Sequence, residues 1–83
     1  MENKATVVFR VYRRALEVDL EIPLNITAND LVIALNQAYD LGIETSDVKN
    51  CYLKTENPIA LLRGNKLLKD YGIHNGTIVQ YME

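Results

Sequence analysis

Apolar and polar residues alternate strictly near the start of the chain, with Val7, Phe9 and Val11 on one side and Thr6, Val8, Arg10 and Tyr12 on the other. A period of two is the mark of a half-buried β-strand. Leu16, Val18, Leu20 and Ile22 then alternate with Glu17, Asp19 and Glu21, so the two runs form a hairpin. With Arg13 and Arg14 as its loop, Val11 faces Leu16, Phe9 faces Val18 and Val7 faces Leu20. Every inward pair is then apolar, and Arg10 meets Glu17 on the outer side, a cross-strand pair worth roughly 0.2–1 kcal/mol. A slip of one residue would turn both apolar sets to solvent. Two-residue loops prefer glycine or Asn-Gly, so a longer loop in the same register also fits.

A helix is predicted to begin near Ala28. Thr27 is its N-cap, Asp30 completes an Asp version of the capping box, and Ile26 with Leu31 supplies a hydrophobic staple. Leu31, Leu35 and Ala38, flanked by Ala34 and Leu41, make the apolar stripe, and Gly42 is placed to end the helix. After the polar connection from Glu44 to Lys49, Cys51 to Thr55 alternates as a strand. Glu56-Asn57-Pro58 is a turn, and Ile59 to Leu62 is a short second strand. Arg63 to Lys66 reads as a turn, Leu67 to Ile73 as a compact or 3-10 segment, and His74 to Thr77 as a further turn. The last strand runs from Thr77 to Met82, with Val79 and Tyr81 on one face and Ile78, Gln80 and Met82 on the other. The order β-β-α-β-β-turn-β lets one helix cover one face of a mixed sheet and leaves the other face bare.

Composition narrows the function. Eighty-three residues, 48% hydrophobic and with a net charge of −2, suit one domain spanning 1–83, whose apolar positions are nearly all needed for a single core. The stretch Leu31 to Leu35 is far shorter than the roughly 20 apolar residues of a membrane span. The N-terminus lacks a signal-peptide pattern, and the expected location is cytoplasmic. The lone Cys51 and lone His74 fall short of a disulfide or a four-ligand zinc site, and neither a metal nor a cofactor is expected. Cys51 alternates in phase with Leu53 and is expected in the core, where a thiol without a basic neighbour is unreactive. His74 reads as a turn residue. Asn25-Ile-Thr27 and Asn75-Gly-Thr77 match a glycan acceptor pattern but serve better as cap and turn. Arg10, Arg13, Arg14, Lys66 and Lys69 form a basic group, yet the acidic pI near 5.3 and the Glu17/Asp19/Glu21 strand argue against nucleic acid.

Leu62-Arg-Gly-Asn-Lys-Leu-Leu68-Lys-Asp70-Tyr71-Gly-Ile73, together with the element order, resembles the ubiquitin-like β-grasp fold. The class expected is therefore α+β, with a mixed five-stranded sheet and one main helix. The length and the Gly-Ile73-x-Asn75-Gly76 turn resemble the YukD/EsaB family, small cytosolic proteins of type VII secretion systems in Gram-positive bacteria. Apart from that resemblance, Leu62, Leu68 and Ile73 are spaced to plug the open end of a helix-on-sheet core, and the Tyr71 hydroxyl is placed to satisfy a loop carbonyl. Ubiquitin-like modifiers carry a C-terminal Gly-Gly, whereas this sequence ends Val79-Gln-Tyr-Met-Glu83, so conjugation or sulfur carriage is the disfavoured alternative.

The sheet face away from the helix is expected to carry Val8, Arg10, Tyr12, Tyr52, Lys54, Ile78, Gln80 and Met82. An adjoining apolar set there marks a binding surface, although single exposed apolar residues are normal on any soluble domain. The resemblance implies that this face docks protein partners. The expected role is a non-enzymatic accessory or regulatory protein that binds cytoplasmic parts of the secretion membrane machinery without inserting into the membrane. Homo-oligomerisation is left open.

Overall fold

Strands β1 (Lys4–Val11) and β2 (Leu16–Pro23) pair antiparallel in the expected register, with Val11 opposite Leu16, Phe9 opposite Val18, Val7 opposite Leu20 and Arg10 opposite Glu17. The computed structural model describes residues 3–47, 49 and 51–81. The loop is the longer of the two forms compatible with that register. Tyr12–Arg14 makes a 3-10 turn, and Ala15 takes the left-handed conformation at φ 51°. Neither arginine has to adopt positive φ, which removes the objection to an Arg-Arg hairpin.

Helix α1 spans Ala28–Tyr39. Its start follows the capping box, because Thr27 Oγ1 accepts from the Asp30 N–H at 3.0 Å and Asp30 Oδ2 accepts from the Thr27 N–H at 3.5 Å. Thr27→Ala is expected to lower stability by about 1 kcal/mol, read from the urea midpoint at unchanged slope. The other end differs from expectation. The left-handed residue is Asp40, at φ 52°, and Gly42 lies beyond the helix, as does the buried Leu41. Arg14 from the hairpin donates to the carbonyls of Tyr39 and of Asp40, the latter at 2.6 Å. A cation at a helix C-terminus offsets the partial negative charge of its free carbonyls.

The buried stripe of α1 is Ala28, Leu31, Val32 and Leu35, with Tyr39 half-buried. Ala34 and Ala38, expected on the core face, are exposed. The helix has turned toward Val32 and Tyr39, since burying those larger side chains removes more apolar surface from water than burying two methyl groups. The Tyr39 and Phe9 rings pack with centroids 5.0 Å apart.

The second half adds β3 (Leu53–Glu56), β4 (Ala60–Leu62), a 3-10 turn over Leu68–Tyr71 and β5 (Ile78–Tyr81). The sheet order is β2-β1-β5-β3-β4, with β1 and β5 parallel and the other neighbours antiparallel. It is the α+β, ubiquitin-like β-grasp arrangement that the element order implies. Leu62 and Leu68 are fully buried and Ile73 nearly so, closing the core as their spacing suggests. The Tyr71 hydroxyl donates to the Arg63 carbonyl at 2.9 Å. No helix among the described residues is long and apolar enough to cross a membrane.

Candidate functional site

Strand alternation sends Val7, Phe9, Val11, Leu53, Thr55 and Val79 toward α1 and the residues between them to the other face. The register then aligns two rows across that outer face. One runs Asp19, Val8, Ile78, Glu56, and the other runs Glu17, Arg10, Gln80, Lys54, Leu61 across all five strands. Five of the residues expected there, Val8, Arg10, Lys54, Ile78 and Gln80, are therefore direct neighbours. Tyr12 stands at the hairpin end, 51% exposed, and Tyr52 precedes β3, half-buried. Met82 lies outside the described residues.

The character of the face differs from an exposed apolar patch. Val8 and Ile78 are only half-exposed, and Gln80 is buried at 6% exposure. A side chain on β5 has a neighbouring strand on both sides, and here those neighbours are the long Arg10 and Lys54. Gln80 Nε2 donates to Glu56 Oε2 at 3.0 Å, while its Oε1 is buried with no partner among the described residues. The apolar exposure sits at the rim, at Ile59 (89%) and Leu61 (43%). Both belong to a run that alternation alone marked only as a short strand. With Lys54, Glu56 and Gln80 they line a shallow cavity of about 440 Å³.

Two ion pairs lie on the β1–β2 side of the face. Arg10 Nε meets Glu17 Oε1 at 2.7 Å, and this bond, with a second to Tyr12, holds the guanidinium above its ordinary pKa. Lys4 Nζ lies 3.8 Å from Glu21. The basic group read from the sequence is dispersed, since Arg14 binds the helix end and Lys66 lies over the Tyr71 ring at 4.8 Å.

The remaining chemical candidates have structural duties. Cys51 is buried, its thiol donates to Asn29 Oδ1 at 3.5 Å, and burial pushes its pKa up, away from the reactive thiolate. It borders a cleft of about 620 Å³ with Asn29, Thr45, Arg63, Gly64 and Asn65. His74 Nδ1 lies 2.8 Å from the Asn75 carbonyl. Asn75 Oδ1 accepts from the Thr6 N–H at 2.8 Å, and the fully buried Thr77 donates to the Asn57 carbonyl at 2.9 Å. Both Asn-x-Thr triplets thus contain residues that bond backbone, with Thr27 capping α1.

A family model described as "WXG100 protein secretion system (Wss), protein YukD" matches residues 5–80. The chain belongs to the YukD family. YukD proteins are thereby tied to the WXG100, or type VII, secretion system, and the match takes in β1 through most of β5. No curated protein matches the sequence. Among solved structures, the ubiquitin-like domain of tubulin-binding cofactor B is similar at TM-score 0.76 and 17% identity, covering 100% of this chain and 92% of that one. The C-terminal ubiquitin-like domain of mouse tubulin-specific chaperone e has TM-score 0.71 and 12% identity, covering 98% and 87%. The ubiquitin-like domain of Plasmodium falciparum Dsk2 has TM-score 0.59 and 20% identity, covering 93% and 96%. At such identities the likeness establishes the ubiquitin-like fold, and the secretion-system assignment rests on the family match.

Proposed function

We propose that this YukD-family chain is a non-enzymatic accessory or regulatory protein of a Gram-positive type VII secretion system. It works in the cytoplasm and binds cytoplasmic parts of the membrane machinery through the outer sheet face. The family match over residues 5–80 carries this reading. The face supports it physically, because the row Arg10, Gln80, Lys54, Leu61 joins two cations to an exposed apolar rim.

The test is capture of the purified cytoplasmic segments of the secretion membrane proteins by Arg10→Glu/Lys54→Glu. Capture is expected to fall about tenfold or more, since like-charge contacts at an interface cost several kcal/mol. The melting curve is expected to fall only modestly, because the lost surface ion pair is worth about 0–1 kcal/mol and an acid set opposite Glu17 costs about 0.2–1 kcal/mol more, so the variant stays folded. Undiminished capture by the folded variant would remove this face from the proposal.

A further inference from the structure

We infer that the open edge of β2 is a second docking site, for an extended segment of a partner protein in which basic and apolar residues alternate. The phase of the backbone shows which groups are free. The Val8 N–H donates to the Thr77 carbonyl at 2.9 Å, and the Thr6 carbonyl accepts from the Gly76 N–H at 2.9 Å. Even-numbered residues of β1 therefore turn their backbone groups toward β5, and odd-numbered ones turn theirs toward β2. The bond from the Leu24 N–H to the Asn3 carbonyl, 2.6 Å, has the same phase. On β2 the residues bonded to β1 are then Leu16, Val18, Leu20 and Ile22. Glu17, Asp19 and Glu21 direct their N–H and C=O groups to the open edge. Pro23, next in that phase, has no N–H and closes the template.

The side chains along this edge specify the occupant. Glu17, Asp19 and Glu21 stand in a row on the outer side, while Leu16, Val18 and Leu20 on the helix side are only half-buried. Arg10 holds Glu17, and Lys4 reaches Glu21 only at 3.8 Å. Asp19 faces Val8 and meets no cation among the described residues. An added strand with lysine or arginine on the outer side would complete these charges, and its alternate apolar side chains would cover Val18 and Leu20. A second copy pairing antiparallel about Asp19 would set Asp19 against Asp19 and Glu17 against Glu21, and like charges directly opposite destabilise a sheet. The acid row thus selects a basic strand and rejects β2 of another copy. The opposite sheet edge, β4, is three residues long and offers a shorter template.

The site uses the sheet edge rather than its outer face, so it stands or falls apart from the proposal above. The probe is an acetylated and amidated peptide of alternating lysine and valine, titrated into the full 83-residue chain at low salt and followed by amide hydrogen exchange. Exchange is expected to slow at Glu17, Asp19 and Glu21, while the amides of Val18 and Leu20, already in the ladder, keep their rates. Binding should weaken as salt is added, and a glutamate-valine peptide should not bind. Asp19→Lys/Glu21→Lys should weaken binding of the lysine peptide about tenfold or more. Should that variant fold poorly, Asp19→Pro deletes one outward N–H at a position where an edge strand tolerates proline, and it should lose binding as well. Unchanged exchange at Glu17, Asp19 and Glu21, perturbation confined to Arg10, Lys54 and Gln80, or equal binding of the two peptides would each overturn the inference.

Discussion

Phe9→Ala is expected to lower the stability of this protein by about 3–5 kcal/mol, the usual cost of deleting a buried aromatic ring. Phe9 is fully buried on β1, paired with Val18 on one side and Val79 on the other, and its ring packs on Tyr39. The substitution empties the centre of the core and also removes an aromatic contact of about 0.5–1.5 kcal/mol. At roughly 0.05–0.15 kcal/mol per residue, the whole chain has only about 4–12 kcal/mol of stability, so a large fraction of the molecules should unfold well below the wild-type urea midpoint. Phe9→Leu keeps most of the volume and should fall between the two. A loss below about 1 kcal/mol for the alanine variant would show that the sheet and helix do not meet at this ring.

Leu68→Ala is expected to cost about 2–5 kcal/mol, with the same urea measurement as the check. Leu68 is fully buried although it belongs to a one-turn 3-10 segment, because its N–H donates to the Ile26 carbonyl at 2.9 Å while that of Lys69 donates to the Leu24 carbonyl at 3.0 Å. Those bonds fix the segment across the entry to α1 and press Leu68 into the core end. Weakening should also appear locally, as faster amide exchange at Leu68 and Lys69 than at β1. A variant as stable as wild type would mean that the segment is surface trim rather than a plug.

The β1–β2 register was legible because a one-residue slip would have exposed Val7, Phe9 and Val11 together. The α1 start was legible because the capping box is a local bond between residues three apart. The helix face is legible only in part, since Leu31 and Leu35 are buried as expected while Ala34 and Ala38 are exposed. Ala34 and Ala38 fit the period as well as Val32 does, and only the position of Phe9 across the core decides which side turns inward. The helix end was misplaced, since Asp40 takes the left-handed conformation while Arg14, remote in sequence, binds the last carbonyls.

Of the residues expected on the outer face, Val8, Arg10, Lys54, Ile78 and Gln80 lie there, and all of these but Lys54 are less open than alternation suggests. Alternation tells which side of a strand a residue takes but not how its neighbours cover it, so it gives no sign that Gln80 is buried between Arg10 and Lys54 on the adjacent strands. Ile59 and Leu61 carried no signal of exposure, being apolar residues in a short run. Their prominence follows from β4 lying at the sheet edge.

What the amino-acid order determined by itself was strand phase, the β1–β2 register, the capped helix start and most of the apolar core, because each follows from residues a few positions apart or from a slip that would expose several apolar side chains together. The order β2-β1-β5-β3-β4, the burial of Gln80, the exposed rim at Ile59 and the acidic open edge at Asp19 came only with the tertiary structure. They depend on which strands lie side by side, and strand neighbourhood joins residues far apart in the chain, as when β5 enters parallel beside β1. Local patterning carries no record of that choice, whereas core packing and the backbone hydrogen bonds between strands decide it.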